Sequence, residues 1–228
     1  TYTHKTSLNN GSGSDQAQPI SFTLFYFDGH DCWQIPGCQL SGLKTTVKVD
    51  ELSTLEASWM GLAATKMGAA PVNTPSTSKP IPAWSSVISL GGSALSQFSS
   101  LEIDYKRDTA MVPTINASQS PLEIFSGGFS VTGTLQAVYQ GGSDINLTDF
   151  LANTQPVLTV KCTPVGDPTH YLLLQHSVVA YDSSEPSGSN KWMEIQSSIK
   201  ALANATDALD SKQSPCQVQL LSSASTAY

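Results

Sequence analysis

Apolar and polar residues alternate with a period of two in one segment after another, the pattern of strands with one buried and one wet face. Over residues 20–27, Ile20, Phe22, Leu24 and Tyr26 share a face, while Phe25 and Phe27 make the other face apolar as well. Over residues 43–49, Leu43, Thr45, Val47 and Val49 alternate with Lys44, Thr46 and Lys48. Leu55, Ala57 and Trp59 alternate with Glu56, Ser58 and Met60, and Leu101, Ile103 and Tyr105 with Glu102, Asp104 and Lys106. Phe129, Val131, Leu135, Ala137 and Tyr139 alternate with Ser130, Thr132, Thr134 and Gln136. Shorter signals follow at residues 157–161, 171–181, 192–203 and 217–221. In the third of these four, Met193, Ile195, Ile199 and Ala201 fit a strand, while Ile195, Ile199 and Leu202 also fit a helix; the strand is the preferred reading.

One helix is predicted. Ser143 and Asp144 can cap it, Leu147, Phe150 and Leu151 fall at helical spacing, and it should end near Asn153, ahead of Pro156. Three stretches lack periodicity and read as loops: residues 7–18, residues 68–83 with four prolines, and residues 183–190. The sum is a mainly β fold, a sandwich or partial barrel with one packed helix and long loops, in a single domain over residues 1–228.

Composition supports that class. Charged residues are 13 % of the chain, about half the usual level, with Ser, Thr, Gly, Asn and Gln in their place. The net charge is −7, with ten lysines and a single arginine, Arg107. Phosphate-binding surfaces need clustered Arg and Lys, so specific nucleic-acid reading is excluded. No apolar run reaches the roughly 20 residues that span a bilayer as a helix. The cysteines, Cys32, Cys38, Cys162 and Cys216, form no zinc spacing. A Cys32–Cys38 bridge across a tight turn is conceivable, but four reduced thiols are expected in a domain of this size.

Catalytic signatures are absent: there is no GxSxG elbow, P-loop or HExxH, and the pairs Gly91-Gly92, Gly127-Gly128 and Gly141-Gly142 fit turns. The densest group of ligand-type residues is Asp28-Gly29-His30-Asp31-Cys32, which could hold a metal but reads better as a hairpin tip. His170 and His176 share a strand face, and a hydrogen-bonded or solvated pair is favoured over a ligand site. Asp207 and Asp210 read as surface charge, and the sequons at Asn116, Asn146 and Asn204 matter only in a glycosylating cell. Neither a cofactor nor a metal is expected, nor catalysis.

Two stretches carry a family resemblance. TYTHKTS at 1–7, ISFTLFYF at 20–27 and PGCQLSGLKTTVKVDELSTLEASWMGL at 36–62 form the first. SLGGSALSQFSSLEIDYKRD at 89–108, PLEIFSGGFSVTGTLQAVYQ at 121–140 and TDFLANTQPVLTVKC at 148–162 form the second. In order and spacing they resemble the tail tube proteins of bacteriophages with long non-contractile tails, over about three-quarters of the chain. The family's YTH-like strand usually lies well inside the chain; here it starts at residue 2, which implies an absent N-terminal portion or a shorter relative.

The resemblance implies a virion protein whose copies form hexameric rings, stacked into a tail tube through which DNA is ejected. The implied partners are further copies of the chain and the tape-measure, terminator and baseplate proteins, with assembly in the bacterial cytoplasm and no membrane. Glu102 and Asp104, on a polar strand face, are the candidates for lining an acidic lumen. The alternatives are another tail component, such as a terminator or baseplate hub, and a secreted glycan-binding sandwich using Trp33, Trp59, Trp84 and Trp192.

Overall fold

The computed structural model describes residues 2–7, 21–69, 79–115, 121–188, 192–209 and 213–222. Among them are fourteen strands and one α-helix. In chain order the strands are β1 (Tyr2–Ser7), β2 (Phe22–Phe27), β3 (Cys32–Lys48), β4 (Thr54–Met60), β5 (Thr65–Lys66), β6 (Ser86–Leu90) and β7 (Ser93–Ala94). Then come β8 (Phe98–Val112), β9 (Glu123–Val138), helix α1 (Ile145–Ala152), β10 (Leu158–Cys162), β11 (Tyr171–His176), β12 (Val179–Gly188), β13 (Met193–Ala201) and β14 (Gln217–Ser222). A single 3-10 turn, Ala83–Ser85, leads into β6.

Two antiparallel sheets result. The first runs β1-β14-β11-β10-β6-β7 and the second β12-β13-β9-β8-β3, with β2, β4 and β5 also on β3. Long β3 serves two neighbourhoods. Gly42 faces both Ser58 of β4 and Lys106 of β8, whereas Gln34 faces Phe25 of β2 and Thr65 of β5. The sheets pack through Leu90, Leu158, Val160 and Leu174 from the first and Leu101, Ile103, Val131, Leu135 and Ile199 from the second. Each such side chain, fully removed from water, contributes roughly 1.5–3 kcal/mol. The alternation read from residues 43–49, 101–106 and 129–137 is therefore the alternation between this core and the open face of the second sheet.

The helix occupies the predicted place. The Asp144 carboxylate caps it by accepting from the Asn146 N–H at 2.9 Å, and Asn153 ends it in the left-handed region at φ 53°. Its apolar stripe is not the one expected. Asn146 is the buried residue, reached by the Tyr181 hydroxyl at 3.3 Å, while Leu151 is 73 % exposed. Within residues 192–203, Met193–Ala201 form strand β13, with Ile195, Ser197, Ile199 and Ala201 on the buried face.

One loop expectation is overturned. Residues 183–188 belong to β12, which pairs with β13 as far as Gly188↔Met193. The strand tolerates this Ser- and Pro-rich stretch because it is an edge: Pro186 needs no ladder partner on its free side, and the Ser184 and Ser197 hydroxyls bond each other at 2.8 Å in the interior. In the other two stretches, Ser7 closes β1 and Pro82 bridges to Leu52, while residues 8–18 and 70–78 lie outside the described residues. Neither sheet closes on itself into a barrel among the described residues.

Candidate functional site

Three surfaces carry what the fold does not use internally. The first is the open face of the second sheet. Pairing aligns a row across it, Glu56–Lys44–Asp104–Thr132–Lys200, one residue from each of β4, β3, β8, β9 and β13. Glu102 and Asp104 both lie on this face, one pleat apart, and the Lys44 ammonium reaches Glu102 at 2.7 Å. Glu102, with Asp104 and Glu56 nearby, raises the Lys44 pKa above its ordinary value, holding the lysine charged. The face is thus a weave of opposite charges, with Lys48 occupied by Glu51 at 2.9 Å. Net acidity and scarce arginine were legible in the sequence. The interleaved lysines, which belong to different strands, are aligned only by the register.

The second surface is the arm made by β2, the first half of β3 and β5. None of its residues enters the core shared by the sheets. Phe22, Phe25, Tyr26 and Phe27 are 49–60 % exposed, on both faces of the strand. At the tip, Asp28 accepts from the His30 and Asp31 N–H groups at 2.9 and 2.7 Å and from the Trp33 indole at 3.0 Å. These donors, the Asp31 N–H foremost, hold its pKa down at about 2. Lys66 of β5 closes on Asp31 at 2.6 Å, and Gly29 takes φ 99°, where a Cβ is disfavoured. The Asp28–Cys32 constellation is therefore a hairpin tip whose carboxylates are spent on its own turn. Among the described residues no group of three or more His, Cys, Asp or Glu converges as metal ligands would.

The third surface is the free edge and exposed face of β4. Among the described residues it pairs only with β3, and Leu55 and Trp59 stand 55 % and 39 % exposed, Trp59 meeting Phe22 edge-to-face at 5.8 Å.

Several sequence candidates fall elsewhere. His170 precedes β11 and binds Asp167 at 2.6 Å. His176 ends β11 inside the core, where its Nδ1–H donates to the Pro215 carbonyl at 3.2 Å and its Nε2 takes the Tyr105 hydroxyl hydrogen at 3.1 Å. The two histidines form no pair. Asp207 is not surface charge: it is fully buried and accepts from Ser177 N–H and Oγ, Gln175 and Asn204 at 2.6–3.1 Å. An acid in a polar segment reads as solvated, and only the fold brings Ser177, thirty residues earlier, to meet it. Asp210 and Asn116 lie outside the described residues. Arg107 is buried, its guanidinium 5.3 Å above the Phe129 ring and bonded to the Gly127 carbonyl. The four cysteines form no disulfide and are buried. The tryptophans do not converge: Trp33 is in β3, Trp59 in β4, Trp84 in the 3-10 turn and Trp192 just ahead of β13, with Trp84 the most exposed. No described helix is long and apolar enough to cross a membrane.

No curated protein matches the chain. A family model described as phage tail tube protein matches residues 6–201, from the end of β1 through β13 and so across both sheets, the arm and the helix. The chain belongs to the phage tail tube protein family.

Proposed function

We propose that the chain, as one tail-tube domain over residues 1–228, forms hexameric rings that stack into the tube of a phage tail and conduct DNA into the host. The reading is of a structural protein without catalytic role, built into the virion after assembly in the host cytoplasm. The observation that carries it is the second sheet: from β13 to β3 it is buried on one face and polar on the other, and its edge strands β12 and β4 are unpaired on their outer sides among the described residues. At the level of residues 43–46 it is six strands wide, β12-β13-β9-β8-β3-β4, all antiparallel. An even number makes the two edge strands run in opposite directions. Copies related by rotation about an axis along the strands can then join β4 to the next β12 as one continuous antiparallel sheet. Such a ring turns one face of every sheet towards the axis. The number six comes from the family resemblance.

On this reading Glu102 and Asp104 line the channel together with Lys44 and Lys200. Lysines engaged by neighbouring acids give phosphates no cluster to bind, so DNA slides without being held. The aromatic arm supports stacking of one ring on the next, and tape-measure, terminator and baseplate proteins would meet the ends of the tube. Electron microscopy of the purified protein should show six-fold rings or tubes; discrete monomers at all concentrations would overturn the reading. In phage carrying Glu102→Lys with Asp104→Lys, tubes should form and ejection should slow. Unchanged ejection would remove these residues from the lumen.

A further inference from the structure

We infer that helix α1 of each copy seats on the uncovered face of β4 of the next copy, with Leu151 packing against Leu55 and Ala57. The inference rests on the ring reading above and names the contact that closes it. β4 is an edge strand carrying a single charge and no proline, TLEASWM, so it lacks the usual devices that keep an edge from pairing. Its register sets Leu55 opposite Thr45 and Ala57 opposite Leu43. Thr45 is buried and Leu43 packs on the core, so Leu55 and Ala57 project to the core side of the sheet. Among the described residues nothing covers them: Leu55 is 55 % exposed and every residue of β4 before Met60 is exposed.

At the other edge of the same sheet the situation is complementary. α1 lies on the core side of β12, tied by the Tyr181 hydroxyl to Asn146, and Tyr181 pairs with buried Ile199. The helix buries its polar Asn146 inward and leaves Leu151 at 73 % exposure. Pro186 spoils the far half of the β12 edge for pairing, since it has no N–H to give. The half free of proline, residues 179–184, carries a bulge at Asp182 and includes Tyr181, beneath the helix. When β4 of one copy joins this stretch in the neighbour, its Leu55 and Ala57 arrive on the side of the sheet where α1 already stands. A second copy of this chain thus brings both the strand edge and the apolar cover that β4 lacks.

The test is cysteine cross-linking in assembled material. Leu151→Cys is combined with Leu55→Cys or with Ala57→Cys, against single-cysteine controls; the four native cysteines are buried. Mild oxidation of assembled double variants should give a ladder of covalent oligomers for at least one pair and none for the controls. Rings or tubes that assemble yet give no ladder from either pair would overturn this contact while leaving the ring reading intact. Monomers from the unmodified chain at all concentrations would overturn both. Should the cysteine variants not assemble, Leu55→Lys and Leu151→Asp are each expected to abolish assembly, with circular dichroism and melting of the monomer unchanged. Their combination should restore it through the new ion pair. Assembly by either single charge variant at the unmodified level would refute the contact.

Discussion

Buried polar side chains are where this core is most sensitive to its surroundings, and His176 is the clearest case. Its two hydrogen bonds define a neutral ring, because the Pro215 carbonyl can only accept and so fixes the hydrogen on Nδ1. Burial lowers its pKa below the ordinary 6.5, against weaker opposing effects of the Pro215 carbonyl and of Asp207. Tyr105, with its pKa raised well above 10 mainly by burial, stays protonated and keeps donating. In the unfolded chain the imidazole takes up a proton as pH falls through 6.5, while in the fold it does not until the lower folded value. The unfolded state then binds more protons, so stability is full above about pH 6.5 and declines as pH falls towards the folded value. Urea midpoints measured from pH 7.5 to 5 should fall, and His176→Gln should flatten the decline; an unaltered slope would assign it to other groups. Neither His176 nor Asp207 was legible as a core residue. Polar residues in polar segments carry no local sign of burial, and their partners, Tyr105 and Ser177, are 71 and 30 residues away.

Elements were legible where one face is buried against the other sheet, because burial is what imposes the period of two. β8, β9 and β13 follow their sequence pattern at Leu101, Ile103, Tyr105, Val131, Leu135, Ala137, Ile195, Ile199 and Ala201, while Met193 is half exposed and Tyr139 falls beyond β9. β12 did not, since an edge strand with few apolar contacts leaves no periodic trace in a stretch such as SSEPSG. The helix was legible in its caps, which are local chemistry. Its face was not, because Asn146 is buried by a hydrogen bond to Tyr181 rather than by hydrophobicity. Gly133 was hidden for a similar reason. It lies between Ile103 and Ile199 in the pairing of β8, β9 and β13. A Cβ there would come within 2.8 Å of the Glu102 carbonyl and 3.2 Å of Ile199. Gly133→Ala should therefore destabilise the monomer by about 1–3 kcal/mol, as overpacking does. The denaturant midpoint would register it, and an unchanged midpoint would show that β8 and β9 separate freely at this point.

At the scale of the molecule, the densest run of exposed apolar side chains lies on the arm. Scattered exposed side chains are ordinary, but three exposed phenylalanines and a tyrosine within six residues of one strand are a contiguous patch. The arm that bears them is stiffened at its tip by Asp28 and Lys66, so it is held out ordered before any partner arrives, which lowers the entropy lost on docking. Its aromatic pattern on both faces was visible in the sequence; that it stands outside the core was not, because the same pattern also fits a doubly covered strand. If the arm stacks ring upon ring, Phe25→Ser with Phe27→Ser should spare the ring and impair its elongation. Both residues are at least half exposed and touch none of the core, so monomer stability should move by no more than about 0.5 kcal/mol per site. In the proposed ring, closure falls to β4, β12 and α1, which these substitutions leave untouched. Sedimentation and electron microscopy should then find single rings or short stacks where the unmodified chain makes long tubes. Tubes of unaltered length would move the stacking contact off the arm, and loss of rings as well would show that the arm also serves closure.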